Sequence, residues 1–549
     1  MDFDLITPME PSSERLSSIE LRSLGFFSVP EGTLSRLAEA AFDRLSFTFS
    51  EEHLLALAAI VNDSTNSAND RMVARWLLEN AVISAKGELP LCQDTGTAQV
   101  FAWKPSGAMT AGDDESELAE GISKTYTTRN LRYSTTIPSS LFEESDPGDN
   151  SPPQIMIASV PNGAAAFGSA PAYRFLFCAK GGGSSNKTSL TQATKAILTD
   201  KAFEAFLRTQ IAALGTAACP PYSIAVVVGG ISPEQNLLAL KLATAGYFDE
   251  RLPGWDYRVL GSEPLRDEGW ERHALEIARE TGLGAQFGGK CLALSARVLR
   301  LPRHGASCPV SVGVSCAAHR NLLAYIDAKG VWLERTVSDP LSLEAVRTAL
   351  AIDESSRDVM SARPIAIDLD QGIPKVRELL SGIEPGSPAL LSGKLLVARD
   401  AAHARWRALI VDGKPLPEYL TRYGIAYAGP SNTPEGRVSG SIGPTTAGRM
   451  DEYAEDLMSR GAALLTLAKG NRSETWRAAC AKYGATYLGT PGGIAALIAD
   501  RHITSSEIVD YPELGMEAVR LITVIDLPAF VLINDRGEDF YRTVSGGKK

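Results

Sequence analysis

Three cysteines lie far apart in the chain, and each stands in a short block rich in glycine, proline, serine or threonine. The blocks are Leu91-Cys92-Gln93-Asp94-Thr95-Gly96-Thr97, Gly215-Thr216-Ala217-Ala218-Cys219-Pro220-Pro221-Tyr222 and Gly313-Val314-Ser315-Cys316-Ala317-Ala318. The chain has no CxxC pair, so the local ligand patterns of zinc fingers, zinc ribbons and ferredoxins are absent. Three thiolates brought together by tertiary folding suit an iron-sulfur cluster that keeps one iron open. Because a buried cysteine also packs as a small apolar side chain, packing is the alternative at each position.

The remaining four of the seven cysteines divide into two pairs. We interpret Cys178 and Cys480 as packing residues within a strand or a helix. Cys291 and Cys308 remain reserve candidates for metal ligation.

Charged side chains beside glycines form a second group of candidates. The block Lys180–Thr188 lacks the spacing G-x-x-x-x-G-K-[ST] of a nucleotide loop, but its backbone amides and lysines could hold a carboxylate. In the carboxyl-terminal half, Arg399, Arg449 and Lys469 each lie in or beside a turn and could bind a dicarboxylic acid, since Arg recognises carboxylates through two parallel hydrogen bonds. A solvated surface is the alternative for each of these cations.

One histidine stands out by its neighbours. His304 lies in Arg303-His304-Gly305, shortly before Cys316 in the chain. Histidine titrates near neutral pH, and the nearby cation and suspected cluster ligand favour a catalytic role over a structural one.

The surrounding elements predict two domains of mixed α/β (α+β) class. Apolar residues recur at helical spacing from about Pro30 to Lys86, and strand-length apolar runs such as Ile224–Val228 follow. Gly-rich blocks thin out after Asn321 and an alternation of strand and helix restarts near Pro364. We therefore predict an amino-terminal domain at 1–325 that carries the cluster, a linker at 326–365, and a smaller carboxyl-terminal α/β domain at 366–549 that closes over the site.

Composition limits the class of protein. The chain has 549 residues, 44% of them hydrophobic, and a formal net charge of −11 without a long basic run. This is typical of a globular protein and argues against nucleic-acid or polybasic membrane binding. No apolar run approaches the roughly 20 residues of a membrane helix. The acidic start Met1–Glu10 and the odd cysteine count favour a reducing compartment, so we expect the cytoplasm.

Several blocks, in order along most of the chain, resemble those of class I fumarases, the oxygen-sensitive iron-sulfur fumarate hydratases. They are Cys92–Thr97, Asn130-Leu131-Arg132-Tyr133-Ser134, Lys180–Thr188, Gly215–Tyr222, Leu301–Pro309, Gly443–Asp451, Ala468–Arg472 and Tyr511–Ala518. Several of these blocks are six or more residues long, which makes the resemblance highly specific.

The resemblance implies a homodimer in which a [4Fe-4S] cluster, held by Cys92, Cys219 and Cys316, binds fumarate or malate through its fourth iron. It also implies roles for other side chains. The positions that match the family's carboxylate-binding residues are Gln93, Arg132, Gly183, Arg399, Arg449 and Lys469, and those associated with proton transfer are Asp94, His304 and Thr445.

Hydration of fumarate to (S)-malate explains why such a site needs an open iron and fixed cations. The iron acts as a Lewis acid on the hydroxyl, and cations stabilise the aci-carboxylate formed when C3 loses its proton. Since a threonine hydroxyl is a very weak base, we treat Thr445 and Asp94 as one acid/base unit. His304 is expected to position or protonate the substrate.

The sequence departs from the family pattern at two places, Cys291–Ala296 and His319. Neither touches a proposed ligand, but both lie near the cluster blocks and leave the fine substrate preference open. A related iron-sulfur hydro-lyase acting on L-tartrate or mesaconate is therefore the nearest alternative. An iron-sensing or redox-sensing protein on the same scaffold is the alternative from another class, although a sensor has no need of the carboxylate-binding cations.

Overall fold

The structure is a computed structural model and describes residues 2–8, 25–162, 166–167, 170–249, 263–351 and 363–546. The strands of the amino-terminal half are β1 (Phe3–Pro8), β2 (Phe27–Val29), β3 (Thr97–Pro105), β4 (Ala108–Thr110), β5 (Ile137–Pro138), β6 (Glu144–Ser145), β7 (Gln154–Val160), β8 (Ala166–Phe167), β9 (Ala170–Pro171), β10 (Tyr173–Lys180), β11 (Ser189–Ala193), β12 (Tyr222–Gly230), β13 (Leu265–Arg266), β14 (Ala293–Arg303), β15 (Cys308–Ser315), β16 (Asn321–Asp327) and β17 (Gly330–Glu334). The helices of this half are α1 (Thr33–Phe47), α2 (Glu51–Asn62), α3 (Ala68–Ser84), α4 (Asp114–Thr128), α5 (Gly182–Ser185), α6 (Asp200–Leu214), α7 (Pro233–Thr244), α8 (Glu268–Glu280) and α9 (Glu344–Ala351).

The carboxyl-terminal half alternates short strands and helices. Its strands are β18 (Ile365–Asp368), β19 (Pro388–Val397), β20 (Gly424–Ala426), β21 (Leu465–Ala468), β22 (Thr486–Gly489), β23 (Ile503–Asp510) and β24 (Val519–Ile533). Its α-helices are α10 (Ile373–Leu380), α11 (Asp400–Val411), α12 (Tyr419–Arg422), α13 (Ala454–Met458), α14 (Glu474–Tyr483), α15 (Ala495–Arg501) and α16 (Phe540–Val544). A 3₁₀ helix spans Ala447–Tyr453. The mixed α/β prediction is confirmed.

Within the described residues, two large sheets build the amino-terminal half, beside three two-stranded ones. The first has six strands in the order β1-β17-β16-β10-β3-β7, and the second has five in the order β11-β15-β12-β14-β13. Helix α1 packs against the first sheet through its buried face, where Leu34, Leu37 and Phe42 follow the helical spacing read from the sequence. The start of α2 is capped by Ser50, whose hydroxyl accepts a hydrogen bond from the amide of His53.

The third large sheet belongs to the carboxyl-terminal half and closes on itself. Strands β18, β19, β20, β21 and β22 are successive parallel neighbours. The long strand β24 then pairs antiparallel with both β22 and β19, so β19, β20, β21, β22 and β24 form a ring. A closed sheet has no free edge within the ring, and its strand ends are therefore fixed relative to one another.

The range predicted as a linker, 326–365, needs correction. The division at 325 falls inside β16, and β17 pairs with both β16 and β1 of the first sheet. Helix α9 packs against α2 and α3. The amino-terminal domain therefore continues to at least Ala351, because the strand that we assigned to the linker completes a sheet. Residues 352–362 of the predicted linker lie outside the described residues.

No helix within the described ranges combines the length and apolar composition that crossing a membrane requires.

A buried aspartate organises the loop between α8 and β14. Asp70 accepts hydrogen bonds from the amides of Ala285 at 2.6 Å and Lys290 at 2.7 Å, and it also contacts the amide of Cys291. This loop contains Gln286, whose side-chain amide donates to the carbonyls of Pro220 and Gly492. Asp70 thus supports a loop that reaches both domains.

Replacing Asp70 with alanine should destabilise the protein by about 2 to 4 kcal/mol, because it leaves buried amides without an acceptor. Asp70→Asn keeps one acceptor oxygen and should cost less. Thermal unfolding under anaerobic conditions measures the effect, with Asp63→Asn as control, since Asp63 caps only the exposed turn at Thr65. Equal melting temperatures for Asp70→Ala and the control would contradict this role.

Candidate active site at the domain interface

Antiparallel pairing explains why the distant blocks of the first sheet meet. Strand β10 pairs with β3 so that Lys180 faces Thr97, and with β16 so that Cys178 faces Asn321. The end of β10 therefore lies beside the starts of its two neighbours. The loops before β3, after β10 and before β16 carry Cys92, Gly183 and Cys316, respectively, and they meet at one edge.

The second sheet brings in the third cysteine in the same way. Ser223 at the start of β12 faces Ser315 at the end of β15. Cys219 precedes β12 and Cys316 follows β15, and the amide of Ala317 donates a hydrogen bond of 3.0 Å to the carbonyl of Cys219. All three cysteine loops thus occupy one end of the amino-terminal domain.

The carboxyl-terminal domain presents the carboxyl ends of its parallel strands to this place. Arg399 follows β19, Lys469 follows β21 directly, and the long connection after β20 carries Thr445 and Arg449. Ligands of parallel sheets characteristically bind at the carboxyl ends of the strands. The site therefore combines loops of one domain with the strand ends of the other.

One contact between the two domains joins a cation to a thiol. Nζ of Lys469 lies 2.7 Å from Sγ of Cys219. Burial lowers the pKa of Lys469, but the neighbouring Cys219 and Cys92 outweigh it and raise this pKa above its usual value. The ammonium is therefore held in its charged form beside the thiols.

Two glycines make this approach possible. A Cβ atom on Gly492, in the loop after β22, would collide with Sγ of Cys219. A Cβ atom on Gly470 would lie 2.6 Å from Cβ of Ala217, and the φ of +86° at Gly470 also disfavours a side chain. The backbone of the second domain thus lies directly against the Cys219 loop.

The three thiols lie in one electrostatic environment. Burial raises the pKa of Cys92 and raises that of Cys219 to about 11, with Lys469 opposing the shift at Cys219. Burial acts in the same direction on Cys316, but Arg320 and the Ser184 hydroxyl outweigh it and lower its pKa. The charge of Cys316 also raises the pKa of Cys92, and the charges of Cys316 and Cys92 raise that of Cys219, so the three thiols lie near one another.

The donor set fits a polynuclear group better than a single ion. Among the described residues, no three His, Cys, Asp or Glu side chains lie close enough together to hold one metal ion. The three thiols nevertheless share one chamber with Lys469 and with Arg320, whose Nε and Nη1 are buried without a hydrogen-bond partner. Guanidinium N–H groups without a partner, placed beside thiols, suit an anionic group that is larger than a single metal ion.

Asp94 is held as a carboxylate. Burial alone would raise its pKa, but Arg132, Arg320 and a hydrogen bond from the amide of Gly182 hold that pKa well below its usual range. Its Oδ1 lies 3.0 Å from Nη2 of Arg132, and Oδ2 accepts from the Gly182 amide at 2.9 Å. Among the described residues, no hydrogen bond joins Asp94 to Thr445, so the predicted acid/base unit is not a bonded pair.

Two arginines from different domains meet at one loop. Nη1 of Arg132 lies 3.5 Å from the carbonyl of Gly429, and a Cβ atom on that glycine would lie 3.1 Å from Nε of Arg399. Burial, with Arg132 beside it, lowers the pKa of Arg399 to about 10, and Glu517 forms an ion pair with Arg399 at 2.7 Å. Nε of both arginines is buried without a hydrogen-bond partner.

The hydroxyl of Thr445 accepts a hydrogen bond from a cationic side chain. Nη2 of Arg449 donates a short hydrogen bond to Oγ1 of Thr445 and lies 3.1 Å from Oδ2 of Asp400. The backbone of Thr445 is also fixed, because its amide donates to the carbonyl of Tyr427 at 2.7 Å and its carbonyl accepts from the amide of Lys469 at 3.2 Å.

The other two predicted carboxylate-binding residues lie in the same chamber. The side-chain amide of Gln93 donates to the carbonyl of Pro444, next to Thr445. Gly183 lies against Ala217 and Ala218, directly before Cys219. Eleven of the twelve predicted site residues thus belong to loops that meet at the domain interface.

His304 is the exception. It is exposed in the turn between β14 and β15, where its Nδ1 accepts a hydrogen bond from the amide of Ala306. Cys316 follows the opposite end of β15, and a strand of this length spans about 25 Å. Within one chain, His304 therefore does not reach the cysteines.

The remaining cysteines play no part in this chamber. Cys178 and Cys480 are fully buried, as predicted for packing residues. Cys308 begins β15 at the end away from Cys316, and Cys291 lies beside Asp70. Neither reserve candidate joins the three site cysteines.

Two residues of the site were missed by sequence reasoning. Arg320 is only 5% exposed and lies among Cys92, Cys316 and Asp94. Its position four residues after a suspected ligand was the available signal. Gln286, which bridges Pro220 and Gly492, has no distinctive sequence context, because its role depends on two distant backbone segments.

The departure at position 319 is accommodated by stacking. The His319 ring stacks on His53 with a centroid distance of 5.3 Å, and burial lowers the pKa of His319 well below its usual value. Burial also lowers the pKa of His53 to about 4, and its Nε2 lies 2.8 Å from the carbonyl of Ala317, so two neutral rings lie beside the Cys316 loop.

Comparisons with known proteins cover both halves of the chain. A family model described as fumarate hydratase (Fumerase) matches residues 35–324, and a model described as fumarase C-terminus matches residues 337–544. Together these two models match most of the chain.

Individual relatives agree with the family models. Fumarate hydratase 2 of Leishmania major is 44% identical over 533 residues, covering 97% of this chain and 90% of the relative. The aerobic class I fumarate hydratase of Escherichia coli (strain K12) is 44% identical over 536 residues, covering 97% of this chain and 94% of the relative. Fumarate hydratase 1, mitochondrial, of Leishmania major is 40% identical over 513 residues, covering 93% and 90%, respectively. The resemblance read from the sequence blocks is confirmed, and the chain belongs to the class I fumarate hydratases, a family of hydro-lyases.

Proposed function

We propose that this chain interconverts fumarate and (S)-malate in the chamber between its two domains, with a [4Fe-4S] cluster on Cys92, Cys219 and Cys316. The observation that carries the proposal is the contact between Nζ of Lys469 and Sγ of Cys219 at 2.7 Å. It places a cation of one domain beside the thiols of the other, so a dicarboxylate bound there would lie in the chamber that the two domains form. When bound, the cluster supplies an open iron that acts as a Lewis acid on the substrate hydroxyl.

The cations divide into two pairs that suit the two carboxylates. Arg132 and Arg399 lie at Gly429 with unsatisfied Nε donors, and we assign one carboxylate to them. Arg449 and Lys469 lie beside Thr445, and we assign them the carboxylate next to C3. Since this carboxylate gains charge when C3 loses its proton, fixed cations here stabilise the transition state more than the substrate. Gln93 and the backbone of Gly183 complete the binding site.

Thr445 takes and returns the proton at C3 in this proposal. Its hydroxyl is a weak base by itself, but Arg449 donates a hydrogen bond to Oγ1 and stabilises the alkoxide. Asp94 is assigned to proton transfer at the hydroxyl group of the substrate. It is ionised while Arg132 pairs with it, and its pKa rises towards the usual value when a substrate carboxylate recruits Arg132.

Substrate preference is assigned to fumarate and malate over L-tartrate and mesaconate, because relatives at 44% identity over nearly the whole chain carry the name fumarate hydratase. A sensor without turnover is disfavoured, since the four cations and Thr445 are all present. The homodimer and the cytoplasmic location remain predictions.

Anaerobic reconstitution followed by iron counting and initial-rate measurements tests this function. We expect about four irons per chain and faster turnover of fumarate and L-malate than of L-tartrate or mesaconate. Fewer than about three irons with full activity would contradict a cuboidal cluster. A loaded cluster without hydratase activity would favour the sensor.

Replacing Thr445 with alanine should lower kcat by about 10³-fold or more, because the proton acceptor is lost while the cluster and the carboxylate-binding cations remain. Thr445→Ser keeps the hydroxyl and should retain much more activity. Iron content and substrate binding by isothermal titration serve as controls. Unchanged turnover in Thr445→Ala would remove Thr445 from the mechanism.

The position of His304 is compatible with catalysis only across a dimer. Because the turn that carries it is exposed and lies at the far end of β15, we propose that each chain donates His304 to the site of its partner. This proposal depends on the predicted homodimer.

Subunit mixing tests the exchange. Homodimers of His304→Ala and of Thr445→Ala should both be nearly inactive, but dissociation and random reassociation should restore about one quarter of the wild-type activity, because half the dimers are hybrids with one intact site. Mixing without dissociation is the control. If reassociated hybrids stay inactive, His304 does not act across the dimer.

A further inference from the structure

We propose that Arg472 is a positioning residue, which fixes the loop of Thr445 and Arg449 against the strand end of Lys469. The inference rests on the proposed function, since it concerns the geometry of residues assigned there. It adds a residue that contacts neither the thiols nor the cations of the chamber in any described interaction.

Arg472 lies inside a cage of aromatic rings. Its side chain has 0% exposure, and its guanidinium carbon lies 3.2 Å from the ring centroid of Trp476. The rings of Tyr487 and Tyr427 lie at 5.1 Å and 5.3 Å. A cation over aromatic faces that exclude water is strongly held, and the planar guanidinium also stacks on them, which an ammonium group does not do.

The guanidinium is joined to the 3₁₀ helix that carries Arg449. Nη1 of Arg472 donates a hydrogen bond of 3.0 Å to the carbonyl of Ala447, at the start of this helix. Nε lies 2.8 Å from Oδ1 of Asp451, within the same helix, and Oδ2 of Asp451 accepts from the amide of Ser473. Arg472 therefore contacts the helix at two points, on either side of Arg449.

Backbone hydrogen bonds extend these contacts to the reacting groups. The amide of Ala447 donates to the carbonyl of Lys469 at 2.9 Å, and the amide of Lys469 donates to the carbonyl of Thr445 at 3.2 Å. Two walls of the cage join the same network, because the carbonyl of Tyr427 accepts from the amide of Thr445 and the hydroxyl of Tyr487 donates to the carbonyl of Gly470. A displacement of the guanidinium would therefore shift Thr445 relative to Lys469.

The alternative is that the cage only stabilises the domain. Removal of Arg472 would then lower the melting temperature but leave the folded, cluster-loaded enzyme with normal kinetics. Positioning predicts a different result, because a small misplacement of a proton acceptor slows proton transfer even in a folded enzyme. The rate of the C3 proton transfer is thus the quantity that separates the two roles.

The test compares Arg472→Lys with Arg477→Lys as a matched control. Arg477 lies on α14, in the same segment, but pairs with exposed Glu474 outside the cage. Each enzyme is loaded with cluster, its iron content is counted, and kcat, KM and the deuterium isotope effect on dehydration of C3-deuterated malate are measured below its melting temperature. We expect Arg472→Lys to lower kcat per loaded site by about tenfold or more and to raise the isotope effect, while the control matches wild type.

Asp451→Asn provides a second variant if Arg472→Lys does not fold. It keeps an oxygen for the Ser473 amide but removes the charge paired with Arg472, and we expect a smaller fall in kcat with a raised isotope effect. A lowered melting temperature with unchanged kcat and isotope effect, in whichever of the two variants folds, would overturn the proposal. Failure of the proposed function is recognised separately, because Thr445→Ala would then keep its activity whatever the Arg472 variants show.

Discussion

Close approach of the two domains at Cys219 is the constraint on which the rest of the site depends. Sγ of Cys219 lies within hydrogen-bond distance of Lys469, and Gly492 leaves no room for a side chain beside it. Bringing an ammonium group to a buried thiol costs desolvation, which is offset when the thiol carries charge. The same contact sets how far the other cations lie from the cysteine loops. The site is therefore a property of the interface between the domains.

Two different sheets supply the precision that this interface needs. In the amino-terminal half, antiparallel pairing fixes which loops are neighbours, because the register that aligns Lys180 with Thr97 also determines where Cys92 lies. In the carboxyl-terminal half, parallel strands align their carboxyl ends. Rigid elements thus hold the charged groups, in line with the general observation that loops on a fixed scaffold carry function.

Most residues of the site could be predicted from the sequence, because their local composition is set by the close approach of the loops. The cysteines stand in blocks rich in glycine, proline, serine or threonine, and glycines flank Thr445, Arg449 and Lys469. Segments that approach one another closely need small residues, and this composition was visible locally. The structure brings eleven of the twelve predicted residues to one interface. The place of His304 was not predicted correctly, because its closeness to Cys316 in the sequence suggested closeness in space. The extended strand β15 lies between them and holds the two residues far apart. Gln286 and the true extent of the first domain depended on long-range pairing, which a local pattern does not encode.

The closed ring of the carboxyl-terminal sheet has a consequence for how substrate enters. Arg399, Lys469 and the connection that bears Thr445 all extend from strands of one ring, so none of these strands can detach without breaking its pairing on both sides. Opening of the chamber then requires the whole ring to move as a rigid body away from the cysteine loops. Arg399, Arg449 and Lys469 would be separated from the thiols in the same motion, while Arg132 stays with the cysteine loops beside Asp94. A substrate would be bound from both domains at once when the ring returns.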